Sequence, residues 1–235
     1  MKRQVVLKIV VDVIMTVLLM LLMAFELIGR TAHEWLGTVM FVMFVVHHVL
    51  NRKWTGHLLK GKYTPSRIFQ TVIVVLVLLC ILFSVISGIV LSRYVFDFLS
   101  IGGGRSWARI LHMVGAYWGF VFMSLHLGLH WNMMMGMAGK AAGQPSPVRS
   151  RILKTAGILI ACYGIYAFIK RGIGSYMLLR NMFVFFDFEE PLTLFYVDYI
   201  AVMGLFVWIG HYLSKFLRAL PGKKDAGAGD IFQKK

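Results

Sequence analysis

The stretch HEWLGTVMFVMFVVH, residues 33–47, decides how this chain is read. It is an apolar run bounded by two histidines, His33 and His47. A second run, HMVGAYWGFVFMSLH at residues 112–126, has the same frame and ends on His112 and His126. Fourteen residues of α-helix rise about 21 Å and turn about 1400°, some 40° short of four full turns. Each pair therefore shares one face of its helix, with its members near opposite sides of a bilayer core.

Composition agrees with a membrane setting. Of 235 residues, 59% are hydrophobic and 15% charged, more apolar surface than a water-soluble domain can hide. Six apolar segments can be read at 5–27, 33–50, 68–91, 107–134, 152–169 and 194–217. Lipid offers no partner to open backbone groups, so all six are expected to be helices. The chain is thus read as all-α and integral to the membrane, with six transmembrane helices. Its expected parts are a four-helix core over 1–138, a linker over 139–151, two further helices with an interfacial segment over 152–220, and an unstructured polar tail over 221–235.

The net charge of +15 is not read as a nucleic-acid signature, because the basic residues fall between the apolar runs. Eighteen of them lie before the first helix, in the second–third and fourth–fifth connections and after the sixth; seven lie on the other side. By the positive-inside rule both termini are cytoplasmic, and the chain is a multi-pass protein of the cell membrane. Cys80 and Cys162 both fall within apolar runs, and no Cys-x-x-Cys-His or Cys-x-x-Cys is present. Covalent c-type haem and a Cys-x-x-Cys zinc or redox site are therefore not indicated.

With alternating spans the second and fourth helices are parallel. His33 and His112 then share the outer depth, and His47 and His126 the inner one. Two imidazoles at one depth are a common axial ligand set for electron-transfer haem. The expectation is two b-type haems, with His33, His47, His112 and His126 as the four iron ligands. An internal repeat supports the register: His33-x13-His47-x3-Asn51 matches His112-x13-His126-x3-His130. His48 points about 100° away from His47; His130 lies one turn beyond His126 and remains an alternative to it.

Other residues can be placed around this set. Gly37, Gly115 and Ala116 lie one turn from the outer histidines, as porphyrin-packing positions or as helix-packing positions. Arg30, Arg105 and Arg109 are candidates to pair with outer propionates. Asp12 follows Lys8 by four residues, so an i, i+4 pair is expected, with a place on a proton path as the alternative. Glu34 is either a headgroup-region carboxylate or a proton acceptor beside the outer site. Met133, Met134, Met135 and Met137 read as adaptable apolar filler. The segment 183–191, aromatic and acidic, reads as interfacial or as a docking site.

The strings His33-Glu34-Trp35-Leu36-Gly37, His47-His48-Val49-Leu50-Asn51-Arg52-Lys53-Trp54 and Leu125-His126-Leu127-Gly128-Leu129-His130-Trp131 resemble the flavinylation-associated cytochromes of bacterial membranes. The ligand spacing is also similar to the amino-terminal half of respiratory cytochrome b. The resemblance covers roughly the first 135 residues, and Arg52 departs from it where a Trp often follows the Asn. It implies transmembrane electron transfer from a quinol or cytoplasmic donor to an extracytoplasmic flavoprotein. No flavin or nicotinamide motif is seen in the chain itself, so its enzyme status stays open and it is read as a redox subunit. The readings from other classes are a metal or proton transporter, and a structural membrane subunit without haem.

Overall fold

A computed structural model describes residues 3–58, 60, 63–141 and 146–220, with side chains omitted over 137–141. The tail over 221–235 and the centre of the expected linker lie outside the described residues. The chain forms α1 (Arg3–Leu22), α2 (Phe25–Gly56), α3 (Pro65–Leu91), α4 (Arg105–Ala141), α5 (Pro147–Lys170), a short α6 (Ile173–Met177) and α7 (Leu192–Ala219). One 3-10 turn, Asp97–Leu99, lies between α3 and α4, and no strand occurs among the described residues. Six of these helices are long and apolar enough to cross a membrane. The chain is all-α and built as a multi-pass membrane protein.

Helix ends follow local chemistry. Thr64 and Ser146 each accept a hydrogen bond from the backbone N–H three residues on, and each is followed by a proline at the first helical position. Both are N-caps that satisfy orphan amides where Pro needs none. The cap at Ser146 starts α5 at Pro147, inside the stretch expected to be linker. α1 stops at Leu22, five residues before the expected end. Residues 23 and 24 form a turn, and Gly29 takes φ 75° and ψ 163°, breaking the helix inside the first turns of α2. The left-handed φ at Gly29 strains any other residue.

The apolar residues around this turn look like helix to a hydropathy scan but are core. Ala24 is fully buried, and Met23, Leu27 and Ile28 pack on the main cluster. That cluster joins Met113, Tyr117 and Phe120 of α4 to Phe195, Tyr199, Val202, Met203 and Val207 of α7. α7 packs along both α4 and α5. α1 packs along α2 and α3 along α4, whereas α2 makes little close backbone contact with α4.

Lipid is as apolar as leucine, so helices in a bilayer associate by close packing of small residues. A Cβ on Gly128 would collide with the Val207 carbonyl, and one on Gly210 would stand 2.5 Å from the Leu125 carbonyl oxygen. These two glycines face each other across the α4–α7 seam. The α5–α7 interface is pinned by charge instead. Asp198, fully buried on α7, accepts hydrogen bonds from Tyr163 (2.6 Å), Lys170 (3.0 Å) and Arg171 Nε (2.8 Å). Arg171 also binds Glu190 through both terminal nitrogens, at 2.5 and 2.7 Å. The segment 183–191 carries no helix; Phe186 packs on Phe195, while Phe185 and Phe188 are largely exposed.

Candidate histidine site

α2 and α4 bring His33 and His112 together. Their ring centroids lie 5.9 Å apart with planes at 67°. Metal–imidazole bonds of about 2 Å on opposite sides of one atom put ring centroids roughly 6 Å apart. The spacing therefore fits one metal atom shared by two imidazoles. Phe25 closes one side of His33, edge to face at 5.0 Å.

The tautomer of His112 can be worked out from its neighbours. Ser87 Oγ donates to the Phe83 carbonyl, so its hydrogen is committed. The same oxygen lies 3.0 Å from His112 Nδ1, and the Ser84 carbonyl lies 3.1 Å from that nitrogen. Both can only accept, so Nδ1 carries the proton and the lone pair sits on Nε2. This is how a ligating histidine is usually oriented by its surroundings. Close approach of α3 and α4 delivers these groups. A Cβ on Gly115 would stand 2.7 Å from Ser84 Oγ and 2.9 Å from the Cys80 carbonyl. Gly115 thus serves helix packing, the second of its two expected roles. Gly37 faces only the end of Leu22, 4.0 Å from an added Cβ, and Ala116 is half-buried.

The second pair is organised by α1. Asp12 does not pair with Lys8, as the i, i+4 spacing led us to expect. Its carboxylate accepts from His47 Nδ1 at 2.7 Å, and Lys8 Nζ donates to Asn51 Oδ1 at 2.9 Å. The cross-helix pairing prevails because α1 and α2 lie side by side, which offers each charge a partner on the next helix. The carboxylate thereby fixes Nδ1–H as the donor of the His47 ring toward α1. Asn51 donates to the His47 carbonyl at 2.9 Å; its 3.5 Å distance to Nε2 is at the limit of a hydrogen bond.

His48 is engaged elsewhere, with its Nδ1 donating to the Phe44 carbonyl at 3.0 Å and its ring 4.2 Å from that of Phe44. On α4, His126 and His130 meet edge to face one turn apart at 4.9 Å, and both lie within electrostatic range of His47 and Asp12. His211 of α7 instead sits edge-on to Tyr212 at 4.9 Å.

Of the four expected ligands, the structure shows a ring contact for His33 with His112 but none for His47 with His126, and it tethers one member of each expected pair, His112 and His47. The Nδ1 atoms of His33 and His126 are buried without a hydrogen-bond partner. An unpaired buried polar atom costs about 1–3 kcal/mol and calls for an explanation such as an ion. Among the described residues no three His, Cys, Asp or Glu side chains converge as a protein-built metal cage requires. At His33 and His112 the two imidazoles could hold one metal atom of a group that brings its own remaining ligands.

The surrounding charges are arranged differently from expectation. Arg30, Arg105 and Arg109 are all exposed, and only Arg30 lies within electrostatic range of a pair histidine, His33. Glu34 is committed to structure: it accepts from Ser92 Oγ at 2.7 Å and from the backbone N–H groups of Arg93, Tyr94 and Val95. It holds the end of α3 rather than facing a proton donor. Comparison with models of known protein families, with curated proteins and with solved structures found no match.

Proposed function

We propose that this chain carries electrons across a membrane by means of two b-type haems, held by His33 with His112 and by His47 with His126. One observation carries the reading. Two helices with little direct contact bring imidazoles to metal-sharing distance at one level, and each repeats a histidine fourteen residues further on. Haem supplies a one-electron couple, which neither the apolar spans nor the histidines have of their own. His33 with His112 and His47 with His126 would hold the two groups at two depths, roughly 21 Å apart along the helices. Ser84, Ser87 and Asp12 hold two of those imidazoles, His112 and His47, with Nδ1–H as the donor.

The basic residues concentrate on the side of the termini, which supports a cytoplasmic placement of both and puts His33 and His112 toward the exterior. On this reading the donor is a quinol or a cytoplasmic reductant. The acceptor is an extracytoplasmic flavoprotein, as the resemblance implies. The chain is then a redox subunit of the cell membrane. Proteoliposomes that enclose ferricyanide and meet dithionite outside test the function. Protein-containing vesicles should reduce the enclosed oxidant much faster than protein-free ones; equal rates contradict it.

The Asp12–His47 pair also favours one second reading, a proton carrier built on Asp12, His47, His126 and His130. It requires proton uptake by vesicles from a colourless protein, whereas electron transfer requires a red one.

A further inference from the structure

The two histidine pairs differ in what fixes their tethered member. His112 Nδ1 is held by neutral acceptors, the Ser84 carbonyl and the Ser87 hydroxyl oxygen. His47 Nδ1 is held by a carboxylate, Asp12, at 2.7 Å. Asp12 stands well inside α1, about 14 Å along the helix from Arg3. A carboxylate at such a depth is costly and marks a function by default. The nearest cation on its own helix, Lys8, is turned to Asn51. Its hydrogen bond to His47 is therefore the ion's one direct side-chain partner among the described residues.

We infer that Asp12 is a positioning residue that sets the two centres at different potentials, with the His47 centre lower than the His33–His112 centre. This rests on the proposed function. The physical argument concerns the imidazole alone. A carboxylate accepting from Nδ1–H makes Nε2 a more basic donor than a neutral acceptor does. A more basic donor, with a negative charge beyond it, favours the more positive state of whatever metal it binds. The carboxylate also fixes the ring plane, since Asp12 and the α2 backbone hold it at two points. Ser84 and Ser87 fix the other ring without adding charge. The asymmetry is thus built by one residue on a helix that supplies no ligand of its own. It would order the two centres energetically, favouring flow from the His47 level to the His33 level.

Redox titration of the full-length protein in membranes, followed in the haem absorption bands, tests this. His47→Ala identifies which spectral component belongs to the second pair. In the wild-type protein that component should be the lower in potential; if it is the higher, the inference falls, whatever the variants do. Asp12→Asn keeps an acceptor of the same shape and removes the charge. It should keep two haems per chain and raise only that component, by about tenfold in its reduction equilibrium, which is about 59 mV for a one-electron couple. Asp12→Glu should stay near wild type, because the charge is kept. Lys8→Met breaks the neighbouring α1–α2 link and removes a cation that bonds Asn51 and no histidine ring; it should not raise that component, whereas a rise equal to that of Asp12→Asn would overturn the inference. Equal shifts of both components, or loss of both haems together in Asp12→Asn, would make Asp12 a mere strut and overturn the inference. A wild-type protein without haem would instead overturn the electron-transfer reading, and this inference with it. Haem present but unmoved by Asp12→Asn would sink the inference alone.

Discussion

The α4–α7 seam and the α2–α4 space are two flanks of one helix built on opposite rules. At the seam, Gly128 and Gly210 let backbones meet, and the largest buried cluster among the described residues joins the two helices. Toward α2, the helices scarcely touch, and what spans the interval at one level is the His33–His112 pair. Gly128 stands about 160° around α4 from His112. One face of α4 is thus spent on fold and the other on histidines. The difference teaches that fold stability and site chemistry can be perturbed separately in this chain.

The largest effect is expected at the seam. Gly128→Leu should cost the fold itself, because its side chain meets the backbone of α7 around Val207 and Gly210. The expected result is loss of monodisperse protein on size-exclusion chromatography. A well-folded Gly128→Leu protein would break the contrast at once.

Asp198→Ala should be severe but less so. It leaves Arg171, only 14% exposed, without one of its two carboxylates. Removing one member of a buried ion pair costs at the low end about 3 kcal/mol, readable as a lower melting temperature in detergent. Haem content should stay unchanged where the protein folds, since this cluster belongs to α5 and α7.

A smaller effect comes with acid. The Arg171 guanidinium, hydrogen-bonded to Glu190, holds that carboxyl below its usual value. A depressed folded value means the stabilisation is complete above the unfolded value, ordinarily about 4.3, and is lost as pH falls through the folded one. Melting temperature should be flat from neutral pH to about 5 and then decline. Glu190→Gln should lower the plateau and shallow the acid decline. An unchanged acid limb in that variant would remove Glu190 from the account.

Much of this architecture was legible in the chain. Six apolar runs gave six helices, because hydropathy reports the one demand lipid makes of every span. The His33–His112 approach followed from a repeated spacing on two parallel helices. Helix ends were less legible. α2 continues to Gly56 and α4 to Ala141, through polar residues a hydropathy scan excludes, because helices go on satisfying their own backbone beyond the hydrocarbon. The turn at residues 23–24 was missed for the opposite reason: its neighbours are apolar because they are core. Asp12 was visible as an acid inside a span, but its partner was not. Sequence proximity pointed to Lys8, and only the packing of α1 on α2 brings His47 nearer. The Asp198 cluster draws on residues from 163 to 198 that share no local pattern, so it appears only when α5 and α7 are side by side.

The central claim is that two histidine pairs hold two haems, and pyridine haemochrome quantitation per chain tests it most directly. The purified wild-type protein from haem-replete cells should hold close to two b-type haems. His33→Ala and His112→Ala should each hold close to one, lose the same spectral component and lose no more when combined, as members of one unit do. A folded, colourless wild-type preparation, or single variants that each retain both haems, would contradict the account.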